Sequence, residues 1–296
     1  MHRFFVAPEL LTDLGPARDA DSSLAPARDA TTFSQEQRSD VVAHAGDTRS
    51  NFVPLPKEIA HQVRDVLRLN VGEHLILLDN SGDEVVAAVA RSSKAGVEVH
   101  LLERRPGKRE PGVRIVLCQG LLKSARFEWV LEKGTELGVS VFAPILCRRS
   151  MAGLEDAGPS KQQRWQRIIQ EAAEQSGRSR LPELLPIRPL VHALNDIPPG
   201  ALAIMPWEEE HVQCLREALT SFVGAQFIAP RAREDIRPST TVVLFIGPEG
   251  GLMAEEVALA QRHGVQVVSL GSRILRAETA ALAAVASVMY EFESVF

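Results

Sequence analysis

Two short apolar runs, each followed by glycine, constrain the C-terminal third of this chain more than any other feature. Residues 242–246 are apolar without interruption and are followed by Gly-Pro-Glu-Gly-Gly at 247–251, while residues 265–270 end at Gly271. Such runs are typical of strands buried on both faces of a parallel sheet. A helical pattern from about 254 to 263 separates them. The alternation predicts an α/β unit whose loops meet at a ligand.

The last segment of the chain predicts a buried helix. Residues 278–292 are apolar almost all round, with many alanines. A helix with this pattern is buried, and its small side chains allow close approach of a neighbouring backbone. The loop before it reads Arg273-Ile274-Leu275-Arg276. Each loop could simply turn the chain, but the two motifs at this spacing in one α/β unit are much more specific than either alone.

Together these motifs resemble the hallmark of the RsmE family, bacterial enzymes that methylate N3 of a uridine in 16S ribosomal RNA. The family carries IGPEGG, SLG and ILR-x-ET-A, and this chain has the same letters at 246–251, 269–271 and 274–280. The family belongs to the SPOUT superfamily of knotted S-adenosylmethionine enzymes. The resemblance therefore implies a C-terminal α/β trefoil-knot methyltransferase domain, and it covers most of the chain except residues 12–48 and parts of 206–238.

The resemblance also implies a set of cofactor-binding residues in these loops. They are Ile246, Gly247, Pro248, Glu249, Gly250, Gly251, Leu270, Gly271, Ile274, Leu275, Arg276, Thr279 and Ala280. Leu275 is expected to pack on the adenine. Arg276 is expected to stabilise the developing uridine anion, with Glu249 or Glu278 as proton acceptor. Either carboxylate could equally hold the loops together through backbone hydrogen bonds.

A small β-rich domain is predicted before the α/β part. Residues 61–69 predict an amphipathic helix with Val63, Val66 and Leu67 on one face. Three strands are predicted at 75–79, 84–89 and 97–102, with a hairpin turn at 80–83. This pattern suggests a small β-barrel, and the resemblance implies a PUA-like RNA-binding domain. We assign residues 1–105 to it and 112–296 to the methyltransferase domain, with a linker at 104–112.

Residues 12–48 depart from the family pattern. Alanine, aspartate, serine and arginine dominate this stretch, and the sequence PARDA occurs twice, at 16–20 and at 26–30. Low hydrophobicity with small polar residues predicts a flexible, surface-exposed insertion. The family passes almost directly from a segment like 1–6 to one like 52–56.

The start of the second domain also matches the family. Residues 113–120 predict a buried strand, 126–137 a helix and 139–146 the next strand. Residues 164–178 predict a helix buried along Trp165, Ile168, Ile169 and Ala172. The family motif Q-x-L-x-K…K-x-TELGV is matched from Gln119 to residue 139, and EAAEQSGR is present at 171–178. The latter resemblance favours a role in the site or in a dimer interface.

Basic side chains supply the candidates for RNA contacts. They are Arg3, His61, Arg64, Lys123, Arg148 and Arg178. Each could instead be an ordinary solvated charge. The formal net charge of −5 does not indicate a nucleic-acid-binding protein, although net charge averages over faces. The resemblance implies 16S ribosomal RNA of the small subunit as partner and a homodimer.

Composition excludes several other classes. The three cysteines are isolated and no His/Cys cluster has metal spacing, so we expect a cytoplasmic protein without a metal. No apolar run is long enough for a membrane span, and no signal peptide is recognisable. Neither GxxxxGK[ST] nor GxGxxG occurs. Two alternatives stay open: a SPOUT methyltransferase acting on another RNA position, and a non-catalytic RNA-binding factor in ribosome assembly.

Overall fold

The computed structural model describes residues 1–12, 51–150, 158–228 and 240–293. The chain forms two compact units, Met1–Gly107 and Lys108–Phe296. Almost all of the predicted insertion at 12–48 lies outside the described residues.

The first unit is built on a five-stranded sheet with the order β1-β3-β4-β5-β2. Its strands are β1 (His2–Phe5), β2 (Phe52–Pro54), β3 (His74–Leu78), β4 (Asp83–Ser93) and β5 (Gly96–Pro106). β1 pairs with β3 in parallel, and the other pairs are antiparallel. The predicted hairpin turn is confirmed, since Asn80 and Gly82 have φ of 65° and 99° between β3 and β4. Alternate side chains such as Leu75, Leu77 and Ala87 form the core on one face.

The predicted linker begins too early. β5 continues to Pro106, and its last arginines are used inside the first unit. Arg104 pairs with Asp79 at 2.9 Å and with Asp83 at 3.3 Å, and Arg105 pairs with Glu84 at 3.0 Å. A run rich in arginine and lysine looked like a linker because sequence pattern does not show which charges have partners.

The predicted helix at 61–69 differs in phase and position. The helix α1 spans Lys57–His61 and continues as a π-helical turn at Gln62–Val66. A π turn has more residues per turn than an α-helix, so side chains rotate out of the expected register. Val63 is fully buried, whereas Val66 is 64% exposed, so the prediction that both lie on one buried face is wrong.

Arg3 has a structural role in place of the predicted RNA contact. Its guanidinium lies 2.7 Å from the Glu84 carboxylate, and the two side chains are only 10% and 7% exposed. Burial alone would raise the pKa of Glu84, but the bonds and charges of Arg3 and Arg105 lower it by more, so its pKa falls below the ordinary value. The pKa of Asp79 is lowered in the same way, because Ser81 and Arg104 outweigh burial.

We expect the first unit to lose stability in acid. A carboxyl whose folded pKa is lowered stabilises the fold above its unfolded pKa of about 4 and loses that contribution as pH falls through the folded value. The urea concentration at the midpoint of unfolding, followed by far-ultraviolet circular dichroism, should therefore decrease as the pH is lowered from about 5 to about 3. Glu84→Gln should show a smaller fall over this range. An equal fall in both proteins would contradict the assignment to Glu84.

The second unit is an α/β structure around a parallel sheet with the order β12-β10-β11-β6-β7-β8, in which β9 also pairs with β7. Every strand pair in its described part is parallel. The strands are β6 (Val113–Gly120), β7 (Val141–Leu146), β8 (Glu183–Leu184), β9 (Arg188–Pro189), β10 (Leu202–Pro206), β11 (Thr240–Ile246) and β12 (Gln266–Val268). The helices are α2 (Ser124–Glu136), α3 (Pro159–Ser176), α4 (Leu190–Asn195), α5 (Leu215–Ile228), α6 (Ala254–Arg262) and α7 (Ala277–Glu293).

Both faces of the central strands are buried, as the apolar runs predict. Val242, Leu244 and Ile246 of β11 belong to one hydrophobic cluster, while Val243 and Phe245 belong to the cluster on the opposite face. This arrangement leaves only the ends of the strands open to ligands. Since the strands are parallel, the segments that follow them meet at one edge of the sheet.

Two helices illustrate where periodicity succeeds and where it fails. α3 buries Trp165, Ile169 and Ala172, and the Trp165 ring packs on Phe127 of α2 at 4.5 Å between centroids, so the predicted stripe is confirmed. α7 buries one side fully, but Ser287 and Tyr290 on its other side are exposed. The prediction that α7 is buried all round is therefore wrong for the single chain.

Candidate functional site

The loop after β11 forms the centre of the candidate site. It follows the strand that lies between β10 and β6, so its neighbours are the ends of those two strands. The Gly251 N–H donates to the Pro248 carbonyl at 2.9 Å, and Gly251 has a φ of 73°. Only glycine adopts this left-handed conformation without strain. The sequence GPEGG thus folds into a tight turn at the edge of the sheet.

The end of β6 packs directly against this turn. A Cβ atom added to Gly120 would lie 2.5 Å from the Pro248 nitrogen and 2.7 Å from the Gly247 carbonyl carbon. The buried Gln119 side chain donates through Nε2 to the Gly120 carbonyl at 2.9 Å and approaches the Gly247 carbonyl at 3.4 Å. Its Oε1 atom is buried and has no donor in the described part of the chain. Backbone therefore meets backbone at this position.

The loop after β7 contacts both this turn and the start of α6. The Arg148 N–H donates to Glu256 Oε1 at 2.9 Å, and Glu256 Oε2 accepts from the Met253 N–H that begins α6. The Arg149 guanidinium donates to the Gly250 carbonyl at 3.2 Å. The arginine side chains of 148 and 149 are exposed, so this loop presents two positive charges beside the turn.

Arg126, on the first turn of α2, joins the two loops that the sequence motifs singled out. Its Nη1 atom lies 2.8 Å from the Glu249 carboxylate, and its Nε atom lies 3.6 Å from Glu278, at the start of α7. The proposed acid–base candidates are thereby brought together on one guanidinium. Sequence reasoning missed Arg126 as a site residue. The only signal was a basic residue three positions after Lys123 of the family motif.

Comparison with known proteins identifies the family. A model of the RNA methyltransferase domain matches residues 108–289, which is more than half of the chain. The chain belongs to this family. A ribosomal RNA small subunit methyltransferase E of Bacillus subtilis is 31% identical over 238 residues, which cover 80% of this chain and 89% of that protein.

Solved structures of methyltransferases resemble most of the chain. A ribosomal RNA small subunit methyltransferase E from Neisseria gonorrhoeae, bound to S-adenosyl methionine, has a TM-score of 0.68 at 26% identity and covers 97% of this chain and 96% of its own. A putative methyltransferase from Legionella pneumophila, in complex with the same cofactor, has a TM-score of 0.63 at 30% identity, covering 81% and 91%. The α/β methyltransferase fold follows from these likenesses.

The remaining loop residues of this RNA methyltransferase family member lie at the surface or near it. Ile274 is 86% exposed, and Arg276 and Thr279 are exposed as well. Leu275 is half-buried, and the Arg276 carbonyl accepts the Ala280 N–H in the first turn of α7. A Cβ atom added to Gly271, whose φ is 111°, would meet no atom within 4 Å. There is consequently open space beside this loop.

The predicted RNA contacts of the first unit have partners within the chain. His61 Nδ1 lies 2.6 Å from Asp65, and Arg64 bonds to the same carboxylate and to the Ser93 carbonyl at 2.8 Å. The hydrogen bond from Arg64 holds the pKa of the Asp65 carboxyl well below its usual range, with the His61 bond a smaller cause. The His61 and Arg64 side chains are nevertheless 64% and 30% exposed, and their RNA contact stays a prediction.

Two candidates of the second unit differ sharply in environment. Lys123, immediately before α2, is exposed. Arg178 is buried: its Nη1 donates to the Val139 carbonyl at 2.6 Å, and its Nη2 pairs with Glu110 at 2.9 Å. The Glu110 carboxylate also accepts the Ser179 N–H at 2.8 Å. The structure thus assigns Arg178 to the interior, against the prediction that it contacts RNA.

Of the three cysteines, Cys118 and Cys147 are buried and Cys214 is exposed. Cys118 is buried, and burial raises the pKa of its thiol to about 12, so it stays protonated at neutral pH. Burial raises the pKa of the Cys147 thiol as well. In the described part of the chain, no group of three His, Cys, Asp or Glu side chains has the geometry of a metal site. No described helix is both long and apolar enough to cross a membrane.

Proposed function

We propose that this chain uses S-adenosylmethionine to methylate N3 of a uridine in the 16S ribosomal RNA of the small subunit. Membership of the RNA methyltransferase family carries the reaction class. The Bacillus subtilis and Neisseria gonorrhoeae relatives are methyltransferases of small-subunit ribosomal RNA, and the second is bound to S-adenosyl methionine, so they support the RNA class and the cofactor. The uridine N3 is what the resemblance to the RsmE family implies. The single structural observation behind it is the joining of the GPEGG turn and the start of α7 through Arg126.

Each of the two units is assigned to a domain type in this proposal. The first unit is a PUA-like RNA-binding domain, and the second is a SPOUT domain with a trefoil knot that acts as a homodimer. The sheet order supports the SPOUT assignment. Along the chain, β7 to β9 separate β6 from β10, but in the sheet the late strand β11 lies directly between β6 and β10. The motifs at 246–251 and 274–280 then belong to the knotted loops.

The residues at the site fit this cofactor. Gln119 Oε1 and Glu278 Oε2 are buried acceptors, and neither has a donor in the described part of the chain. S-adenosylmethionine carries N–H and O–H donors on its adenine, ribose and amino groups. The open space beside Gly271 gives the ligand room next to the loop that leads into α7. The backbone of residues 246–251, 270–271 and 274–276 would hold it.

The bound cofactor supplies a methyl group attached to a positively charged sulfur. The chain's own task is to orient a uridine towards that methyl and to remove the N3 proton, because the neutral imide nitrogen has no useful lone pair. Arg276 is exposed beside the loop and stabilises the negative charge on the uracil oxygens. Glu249 is the more exposed of the two carboxylates on Arg126 and takes the proton directly or through water.

The charges around the turn suit an RNA backbone. Lys123 is exposed after β6, and Arg148 and Arg149 are exposed after β7, where Arg149 contacts the turn at 247–251. None of them forms a salt bridge within the described residues. Phosphate contacts of this kind position an RNA without reading its sequence, and they weaken as salt is raised. The target uridine has to be unstacked to reach the methyl group.

The experiment that tests the function compares the wild type with Gly250→Val. A Cβ atom at Gly250 would lie 3.0 Å from Arg149 Cβ and 3.1 Å from the Arg149 carbonyl oxygen, so the larger valine displaces the turn. Titration calorimetry with S-adenosylmethionine should show binding by the wild type and a loss of at least about tenfold in the variant. Transfer of labelled methyl to small-subunit RNA, followed by mapping of the modified base, should identify a uridine N3.

The control for this experiment is Gly158→Ala, because a Cβ atom there meets no atom within 4 Å. It should bind the cofactor as the wild type does. A folded wild type that does not bind S-adenosylmethionine would overturn the proposed enzyme and favour a non-catalytic factor. Methyl transfer to a different RNA atom would retain the enzyme and change its target.

A further inference from the structure

Arg126 contacts two carboxylates, one in the turn after β11 and one in the first turn of α7. Its Nη1 lies 2.8 Å from Glu249 in the turn after β11, and its Nε lies 3.6 Å from Glu278 in the first turn of α7. The two nitrogens sit on the same planar guanidinium, so the positions of the two carboxylates are fixed relative to each other. No motif in the sequence assigns Arg126 this position.

The two carboxylates are far less exposed than the arginine between them. The Arg126 side chain is 43% exposed, whereas the side chains of Glu249 and Glu278 are 18% and 11% exposed. An exposed ion pair contributes little, because water competes for both partners. A mostly buried carboxylate that loses its cation is a different case, since the remaining charge has little contact with water and has lost its partner.

Loss of Arg126 would leave two like charges on facing loops. Both carboxylates lie within 4 Å of the same guanidinium, so they would repel each other once it is removed. Glu278 has little alternative support, because its Oε2 atom is buried without a donor among the described residues. This repulsion is relieved most easily if the turn at 247–251 moves away from the start of α7.

We propose that Arg126 is a positioning residue that sets the spacing between these two loops before the cofactor binds. This inference rests on the proposed function in one respect, namely that the cofactor contacts both loops. A ligand that spans two loops binds more tightly when their separation is already correct, because less ordering is left to be done on binding. Arg126 therefore controls cofactor affinity through the positions of the two carboxylates that it holds.

The test uses the full chain with Arg126→Gln, Arg126→Lys and the double variant Arg126→Gln/Glu249→Gln. The matched control is Arg164→Gln, which removes another salt bridge to α2, the one between Arg164 and Glu128 at 2.7 Å. Two quantities are measured: cofactor affinity by calorimetry, and hydrogen exchange of the loops at 247–251 and 274–278 without cofactor. The second readout does not depend on the proposed activity.

Arg126→Gln should weaken cofactor binding about tenfold or more, as is usual for residues that orient ligand-binding groups. Hydrogen exchange should rise in both loops together. Arg126→Lys should lie between the wild type and Arg126→Gln, because one ammonium does not replace two guanidinium nitrogens. The double variant should recover part of the affinity, since it removes the repulsion. Arg164→Gln should match the wild type in both measurements.

The outcomes separate this inference from the proposed function. Wild-type binding with unchanged affinity and exchange in Arg126→Gln would overturn the inference and leave the function intact. Unchanged loop exchange would overturn it even if the wild type did not bind the cofactor. A lower melting temperature in Arg126→Gln, with affinity within twofold of the control, would reduce Arg126 to a general stabilising residue and would also overturn it.

Discussion

Gly120→Ala is expected to abolish measurable binding of S-adenosylmethionine and to lower the free energy of unfolding by about 1–3 kcal/mol. The added Cβ atom would lie 2.5 Å from the Pro248 nitrogen and 2.7 Å from the Gly247 carbonyl carbon. These neighbours are backbone atoms of the turn, so they cannot rotate aside as a side chain can. The turn itself has to shift. Calorimetric titration and urea unfolding measure the two effects.

Gly112→Ala is the matched control for this variant. Gly112 lies just before β6, and a Cβ atom there would meet no atom within 4 Å. Its cofactor affinity and its unfolding free energy should stay close to those of the wild type. If Gly120→Ala bound the cofactor as well as Gly112→Ala does, the close packing of β6 on the turn would not matter for the site.

Arg178→Ala is expected to destabilise the second unit by about 3–5 kcal/mol, because it leaves the Glu110 carboxylate without its cation. It also removes the hydrogen bond that the Val139 carbonyl accepts at 2.6 Å. The folded fraction should bind RNA with nearly the wild-type affinity, since the guanidinium is buried. Denaturant unfolding followed by tryptophan fluorescence measures the stability, because all three tryptophans lie in this unit.

Arg180→Ala tests whether the stability loss in Arg178→Ala comes from the buried position of that arginine or from the loss of any positive charge in this segment. Arg180 is exposed, and only its backbone N–H contacts Glu110, at 2.9 Å. Its removal should leave the unfolding free energy within about 0.5 kcal/mol of the wild type. A stable Arg178→Ala protein with much weaker RNA binding would reverse our assignment and restore the RNA contact that the sequence pattern suggests.

Much of the second unit was predictable because its apolar runs and helical spacings indicate the secondary structure locally. A strand such as β11, buried on both faces, needs an unbroken apolar run, and the helix α3 needs apolar residues at helical spacing. Both patterns are local, so they survive in the sequence. The glycine-rich turn was predictable for the same reason. Glycine favours turns that need a positive φ, and Gly251 indeed has a φ of 73°.

The arginines were not predictable, because their roles depend on partners far along the chain. Arg178 pairs with Glu110, 68 positions away, and Arg126 pairs with Glu249, 123 positions away. Neither pairing is marked by spacing or composition. Buried and exposed arginines look alike in a sequence, so one basic run suggested a linker at Arg104, and another arginine, Arg178, suggested an RNA contact.

The helix at 61–69 failed for a different physical reason. Periodicity analysis assumes 3.6 residues per turn, but the chain widens into a π-helical turn at Gln62–Val66. Hydrogen bonding of the backbone, rather than the apolar pattern, decides this geometry. The exposed Val66 is the direct result.

The strand order of the second unit has a consequence for the chain as it leaves the ribosome. Among the described strands, β10 pairs only with β11 and β12, and both are synthesised after it. β6 likewise lacks its partner on one side until Thr240–Ile246 has emerged. The first unit, in contrast, has all its strands once Pro106 is made. Folding during synthesis should therefore proceed in two separated events, with the α/β sheet completed only when nearly the whole chain is available.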